Sequence, residues 1–205
     1  MSLEEKTEKG ITMRRRGAGF KLKTAFALLA LAAQGCVSYI SAGLGALVPG
    51  RSNEGDVPTS LTVQGSYGAR KGPWEVGGEV IYGNAKDSDP GDVPGNEPAY
   101  DSQMGTTIGS VYVARHFREG KKVRSYLSAG LGFLYQNIDT DVGAPVNDSF
   151  NEWDSAFNAF VAGGLKFGNP DSRVSPYVEA KQIFNDSDNI PNSTVLSAGA
   201  KLSFP

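Results

Sequence analysis

The sequence contains very little of the chemistry that most enzymes and metalloproteins use. It has one cysteine, which excludes a disulfide scaffold and any site with several thiolate ligands. It has one histidine, His116, which excludes a multi-histidine metal centre. The formal net charge is -2, which excludes recognition of nucleic acid through bulk positive charge. We therefore expect no cofactor, no metal site and no nucleic-acid partner.

The sequence also lacks an apolar run long enough for a membrane-spanning helix, which needs about 20 residues. Its 205 residues are 40% hydrophobic and 20% charged, and the mean hydropathy is -0.28. These values exclude a helical polytopic membrane protein. They do not exclude a transmembrane β-barrel, because lipid-facing and lumen-facing residues alternate there and their hydropathies average out. The 26 glycines and the 10% of aromatic residues favour β-structure.

The N-terminal segment has the layout of a secretory signal peptide. Residues 14–16 are three arginines, and residues 24–33 form a short apolar run, TAFALLALAA. Ala33 and Gly35 are small residues at the two positions that matter for cleavage, so the cut is predicted after Gly35. We predict that residues 1–35 are an N-terminal extension and signal peptide, with Met13 as an alternative start, and that residues 36–205 are the mature domain. Cys36 would be the first mature residue, either lipidated or without a role.

Eight later segments alternate apolar and polar residues. Such alternation predicts half-buried strands, because successive side chains on a strand point to opposite faces. In the fourth segment the two faces are less distinct, which suggests a β-bulge that shifts the register. The predicted strands are Tyr39–Val48, Ser60–Ala69, Trp74–Gly83, Gln103–Phe117, Val123–Asn137, Ser155–Phe167, Val174–Phe184 and Thr194–Phe204.

The connections between these segments alternate between short and long. Short turns follow the second, fourth and sixth segments, and longer loops at 49–59, 84–102, 138–154 and 185–193 follow the others. In an up-and-down barrel, all the short turns then lie at one end and all the long loops at the other. Bacterial outer-membrane barrels have this arrangement, with short periplasmic turns and longer external loops. The fold predicted is an eight-stranded antiparallel transmembrane β-barrel, all-β after the signal-peptide helix, with both termini at the short-turn end.

The composition of the two faces favours a membrane barrel over a soluble one. A lumen of eight strands is just wide enough for side chains to fill it, and charges there can pair with one another. Aromatic residues at the ends of the apolar faces resemble the girdles of outer-membrane barrels. The predicted lumen charge network is Glu75, Glu79, Arg124, Lys166, Glu179, Lys181 and Lys201. The predicted aromatic girdle is Trp74, Tyr82, Phe133, Tyr135, Phe157, Phe167, Phe184 and Phe204.

The last strand carries a further pattern. Ser197, Gly199, Leu202 and Phe204 follow the order polar, x, Gly, x, x, apolar, x, aromatic. This resembles the C-terminal signal by which the outer-membrane assembly machinery recognises barrel precursors, although here Pro205 follows the aromatic residue. With the segments YISAGLG at 39–45 and SAGLG at 128–132, the chain resembles the small eight-stranded outer-membrane barrel family, which includes the OmpA-type transmembrane domain and OmpX-like and Ail-like proteins. The resemblance implies an integral outer-membrane protein.

The two ends of the predicted barrel differ in charge. The long loops contain fourteen acidic residues against Arg51 and Lys86. The short turns are basic, with Arg70, Lys71, Arg118, Lys121, Lys122 and Arg173 against Glu119 and Asp171. An acidic rim attracts cations and repels anions. Solubility of the long polar loops is an alternative reason for their acidic residues.

We interpret the chain as a non-enzymatic integral outer-membrane protein whose long loops make contacts outside the cell. The expected partners are outer-membrane lipid, lipopolysaccharide and the barrel-assembly machinery, and the loop partner stays open. Three alternatives are a narrow pore gated by luminal charges, a lipid-modifying enzyme that uses His116, and a soluble lipocalin-like barrel. The enzyme is the weaker reading of His116, since a histidine at the end of the fourth strand is more simply an exposed or girdle residue.

Overall fold

The computed structural model describes residues 37–50, 59–89, 100–118, 120–142, 148–169, 172–187 and 190–204. The predicted signal peptide, its cleavage site and Cys36 lie outside these residues. The division of the chain at residue 35 therefore stays a prediction. None of the described residues forms a helix of the length and apolarity that crossing a bilayer requires.

Eight antiparallel strands close into one barrel, as the alternation predicted. Each strand pairs with its neighbours in the sequence, and β1 pairs with β8 to complete the cylinder. Val37 and Phe204, the first and last described strand residues, both lie at the short-turn end. The strands are β1 Val37–Pro49, β2 Ser60–Lys71, β3 Trp74–Asp89, β4 Tyr100–Phe117, β5 Val123–Val142, β6 Asp148–Phe167, β7 Val174–Asn185 and β8 Ser193–Phe204.

The alternation of residue types decides which side chains point into the barrel. In β2, Leu61 is 80% exposed on the outer surface, whereas its neighbour Thr62 is 2% exposed and points inward. The same order holds in β3, where Val80 lies outside and Ile81 inside. Because the side-chain period of a strand is two, the direction of one side chain decides which of the other side chains face the lumen and which face outward.

The short turns are built on residues that accept a left-handed backbone. Gly72 has a φ of 58° in the turn from β2 to β3, and Gly168 has a φ of 108° after β6. Backbone bonds also tie these turns to the barrel: the amide of His116 donates to the carbonyl of Pro73 at 2.7 Å. The turns therefore help to fix the register of the strands that they connect.

The bulge expected in the fourth strand is absent from the described pairing. β4 pairs with β3 from Trp74↔Arg115 to Asp89↔Tyr100 without a break. It pairs with β5 equally regularly, from Tyr100↔Val142 to Phe117↔Ser125. The faces of β4 look less distinct in the sequence because inward-facing apolar residues such as Ile108 and Ala114 interrupt its polar row.

All eight strands are longer than the sequence predicted, and β3 to β6 are the longest. β3 to β6 contain 16, 18, 20 and 20 residues, whereas the other four contain 12 or 13. The last pairs with the shorter neighbours are Leu61↔Asn84 and Asn158↔Asn185. Residues 85–89, 100–104, 138–142 and 148–157 thus continue beyond the barrel rim as a four-stranded sheet, which we call the protruding sheet. Many residues predicted as loop belong to it.

Candidate functional site

Glu75 lies at the centre of an ion cluster near the short-turn end of the lumen. Its Oε2 accepts hydrogen bonds from Lys201 Nζ at 2.6 Å and from Lys166 Nζ at 3.3 Å. The hydroxyl of Tyr112 donates to Oε1 of the same carboxylate at 3.3 Å. Glu75, Lys166 and Lys201 are all buried, so each charge depends on the others for compensation.

A second ion cluster lies at mid-height. Lys181 bridges two carboxylates, because its Nζ contacts Glu79 and lies 3.4 Å from an oxygen of Glu179. Ser110 donates to Glu79 at 3.0 Å and Tyr126 donates to Glu179 at 2.9 Å. With Arg124, which is buried and donates to Ser175 at 3.2 Å, the structure places all seven predicted lumen charges inside the barrel.

His116 does not lie where the sequence suggested. It is 3% exposed and points into the lumen, not to solvent or to the girdle. Its Nε2 lies 2.9 Å from Oε2 of Glu75. The predicted exposed or girdle position is therefore wrong, because the even-numbered residues of β4 from Thr106 to His116 face inward. His116 belongs to the Glu75 ion cluster.

Large side chains fit inside this narrow lumen because glycines leave room for them. A Cβ on Gly43 would lie 2.6 Å from the hydroxyl of Tyr177, and one on Gly130 would lie 2.7 Å from Cζ of Phe160. Glycines in the Gly43-x-Gly45 and Gly130-x-Gly132 segments thus leave space for these aromatic side chains to lie close to the backbone.

An apolar layer that was not predicted from the sequence fills the lumen at the long-loop end. Five side chains that are each 1% exposed form its centre, and Ile190, from the connection between β7 and β8, is buried with them. A signal for this layer was present in the sequence. Near the loop end of several strands, apolar residues stand at the alternating positions that face the lumen. Its central residues are Ile81, Ile108, Leu134, Ile183 and Val195.

The outer wall of the barrel is an exposed apolar band. Leu131, Phe133 and Val161 are 52%, 69% and 53% exposed. A soluble barrel buries such rows, so the soluble lipocalin-like alternative is contradicted. All eight predicted girdle residues point outward, Trp74, Phe167 and Phe204 near the short turns and the other five near the loops.

Two features of the girdle were not predicted. Trp153 extends it at the loop end, where its ring packs 5.2 Å from that of Tyr135. At the short-turn end, the guanidinium of Arg115 lies 5.6 Å from the ring of Trp74 and 5.5 Å from that of Phe117. A long cationic side chain between two aromatic rings suits the boundary between hydrocarbon and headgroups.

The protruding sheet is polar and acidic where it leaves the apolar band. Asp101, Asp139, Asp141 and Glu152 are exposed on it, and Asp101 lies directly opposite Asp141. Acidic side chains also cover its free edge on β6. Asp186 accepts from the amide of Phe157 at 2.8 Å, and Asp154 accepts from the amide of Ser155 at 2.7 Å. Such cover blocks unwanted strand pairing.

The residues of the predicted assembly signal lie on both faces of β8. Ser197 is buried in the lumen, and Gly199 allows the close approach of Tyr177. Phe204 is exposed on the outer wall. Recognition by an assembly machinery stays a prediction.

No protein-family model and no curated protein matches this sequence. Solved structures match it along most of its length. Ail, the attachment invasion locus protein of Yersinia pestis, in complex with the heparin analogue sucrose octasulfate, is 15% identical with a TM-score of 0.59, over 82% of this chain and 99% of that one. The chain has the fold of the small eight-stranded outer-membrane barrels.

Two further barrels agree with this fold. Neisserial surface protein A is 16% identical with a TM-score of 0.53, over 82% of this chain and 96% of that one. A major outer membrane protein from Thermus thermophilus is 12% identical with a TM-score of 0.51, over 82% of this chain and 99% of that one. The resemblance stated from the sequence is confirmed at the level of the fold.

In this barrel, the charged side chains are placed for packing against one another. Among the described residues, no group of three or more histidine, cysteine or acidic side chains could hold a metal ion. The lumen encloses a polar cavity of only about 40 Å³ between the two ion clusters. That volume admits a few water molecules and is far below the range of about 300–1,000 Å³ that small-molecule sites occupy.

Proposed function

We propose that the chain is a non-enzymatic outer-membrane anchor that presents the protruding sheet outside the cell. The observation that carries this proposal is the surplus length of β3 to β6. A tilted strand crosses the hydrocarbon in about 9–11 residues. The 12- and 13-residue strands meet that need, and the 16- to 20-residue strands exceed it. Above the girdle residues Trp153 and Phe157, the outer face of the surplus is polar and suits water.

The charge of the protruding sheet supports contact with a cationic surface. Its exposed charged side chains are acidic apart from Lys86, and like charges repel anionic partners. Ail has been solved with a polysulfated heparin analogue. The acidic protruding sheet of this chain supports a preference for cationic partners instead of anionic ones. Lipid and lipopolysaccharide would surround the apolar band, and the basic short turns would face the periplasm.

Surface labelling tests the location and the orientation together. In a Cys36→Ala background, an Asp101→Cys variant places a thiol on the protruding sheet, and a Lys121→Cys variant places one on a short turn. We expect a membrane-impermeant maleimide to label the first variant on intact cells and the second only after permeabilisation. Both variants should sediment with the outer membrane and shift on a gel when heated. A chain in the soluble periplasm, or the reverse labelling, would contradict the proposal.

Charge neutralisation tests the contact. Cells that carry the triple variant Asp101→Asn, Asp139→Asn and Asp141→Asn should bind polylysine-coated beads less than cells with the unaltered chain. The matched control is Lys121→Gln with Lys122→Gln, which changes charge at the other end and should leave bead binding unchanged. Equal binding by the triple variant and the unaltered chain at equal surface levels would reject the acidic contact.

A further inference from the structure

The barrel has a second cavity, at the end opposite the protruding sheet. It measures about 490 Å³ and opens among the short turns. β2, β5, β6 and β8 each contribute a cationic side chain to its wall, and the residue before β7 contributes another. These side chains are Arg70, Arg124, Lys166, Arg173 and Lys201. We call this cavity the basic mouth.

Positive charge is in excess in the basic mouth. Its described lining contains five cationic side chains and one acidic side chain, Glu75. That carboxylate already accepts from Lys166 and Lys201. The described part of the wall therefore has a formal surplus of positive charge. A cavity with low-dielectric walls focuses such a field and concentrates ions of the opposite sign.

The lining also has the donors that an oxyanion needs. Guanidinium groups present planar pairs of N–H donors that match the geometry of phosphate oxygens. The main chain and a hydroxyl hold two of them: Arg70 Nε donates to the carbonyl of Gly72 at 2.9 Å, and Arg124 donates to Ser175 at 3.2 Å. Serine hydroxyls at 172, 175 and 203 line the same wall.

We propose that the basic mouth binds a small multivalent oxyanion of the phosphate type. A phosphate monoester carries about -1.5 to -2 charges at neutral pH, which suits an excess of several positive charges. The volume lies at the lower end of the range of about 300–1,000 Å³ that small-molecule sites occupy. Among its described lining residues, only Val37 and Phe204 are exposed apolar side chains, and the others face the lumen or lie in the short turns, so we take its ligand to be a dissolved solute rather than a lipid headgroup. This site is independent of the proposed surface role.

Titration calorimetry with inorganic pyrophosphate tests the site. The processed chain is purified from outer membranes into uncharged maltoside micelles at low ionic strength, where charge screening is weak. The test variant is Arg70→Gln with Arg173→Gln, since neither residue belongs to the Glu75 or Lys181 clusters. The control variant is Lys121→Gln with Lys122→Gln, which removes the same charge from another turn at the same end. The heat-dependent gel shift verifies that both variants are folded.

We expect saturable binding at one site per barrel. The arginine variant should bind about tenfold more weakly or worse, and the lysine variant within about twofold of the unaltered chain. If both variants bound pyrophosphate equally weakly, the binding would reflect general charge attraction, and this result would overturn the proposed site. Absence of saturation up to about 10 mM, where the binding free energy is only about 3 kcal/mol, would overturn it too.

Two comparison ligands complete the test. Citrate, a multivalent carboxylate of comparable charge, should bind more weakly than pyrophosphate if phosphate geometry is recognised. Vesicles of phosphatidylglycerol distinguish a solute from a headgroup. Loss of vesicle binding but not of pyrophosphate binding in the arginine variant would contradict the proposal, as would tighter binding of citrate.

Discussion

Glu75 is the residue on which the lower half of the lumen depends. It is the carboxylate that contacts Lys166, Lys201 and His116, and it is 4% exposed. Lys201 also lies over the ring of Tyr39, with Nζ 3.2 Å from the ring centre. A buried cation that loses its counter-charge is far more costly than the intact pair is favourable.

The first prediction concerns that carboxylate. Glu75→Gln keeps the shape of the side chain but leaves Lys166 and Lys201 uncompensated, so we expect the free energy of unfolding to fall by about 3–5 kcal/mol. Urea titration of the barrel in lipid vesicles, followed by the heat-dependent gel shift, measures it. Asp101→Asn removes an exposed carboxylate from the protruding sheet and should change the value by less than about 0.5 kcal/mol. Equal effects of the two substitutions would refute the role of Glu75.

The second prediction concerns close packing in the lumen. A Cβ on Gly164 would lie 2.6 Å from Cε1 of Tyr126, whose hydroxyl is held by Glu179. Gly164→Ala should therefore destabilise the barrel by about 1–3 kcal/mol through overpacking. Gly109 provides the matched control, because a Cβ there meets nothing within 4 Å. If both alanine variants unfold at the same urea concentration, the ring of Tyr126 moves aside freely and its packing does not require a glycine at position 164.

At the scale of the strands, the sequence predicted strand positions only where contact with lipid requires apolar and polar residues to alternate. All eight strands were predicted, because an outward row such as Leu127, Leu131 and Tyr135 must be apolar along the whole lipid-crossing segment. Above the rim both faces meet water, so Asp139 and Thr140 carry no alternation and look like loop. The backbone ladder continues there regardless of side-chain polarity.

The lumen was predictable in its charges and less so in its apolar layer. Seven charged residues stood out on the polar faces, because charges in a lipid-crossing segment have only the lumen in which to lie. Alternation along β3 puts Ile81 on the same face as Glu79, but a single apolar residue in one strand does not show which residues of the neighbouring strands it packs against. Only the register between strands brings Ile81 opposite Ile108 and makes a layer.

The third prediction concerns the protruding sheet. Asp101 and Asp141 face each other across β4 and β5, and like charges in directly opposed positions are destabilising by about 0.2–1 kcal/mol. Asp141→Asn should slow amide hydrogen exchange in the protruding sheet at low salt and leave the unfolding of the barrel unchanged. Asp87→Asn is the control, since Asp87 pairs with Ser102. The difference should shrink in about 1 M salt, where the Debye length is about 3 Å. Faster exchange in Asp141→Asn would refute the repulsion.

At the scale of the whole molecule, the barrel has three levels with different chemistry. The short-turn end is basic, the middle of the lumen carries paired charges, and the long-loop end of the lumen is filled by the apolar layer. A polar lumen alone would favour the pore among the alternatives. The apolar layer opposes it, because a hydrophobic constriction excludes ions and the water that hydrates them.

The fourth prediction is therefore that the barrel does not conduct. In planar bilayers the unaltered chain should give no current steps above background. Replacing Ile81, Ile108 and Leu134 by serine places hydroxyls across the apolar layer, which lets water enter, and should produce steps. The control replaces Val80, Val111 and Leu131, which face lipid, by serine and should stay silent. Current steps of equal size from the unaltered chain and the lumen variant would mean that ions bypass the apolar layer. The two ion clusters beneath the layer would then line an ion pathway.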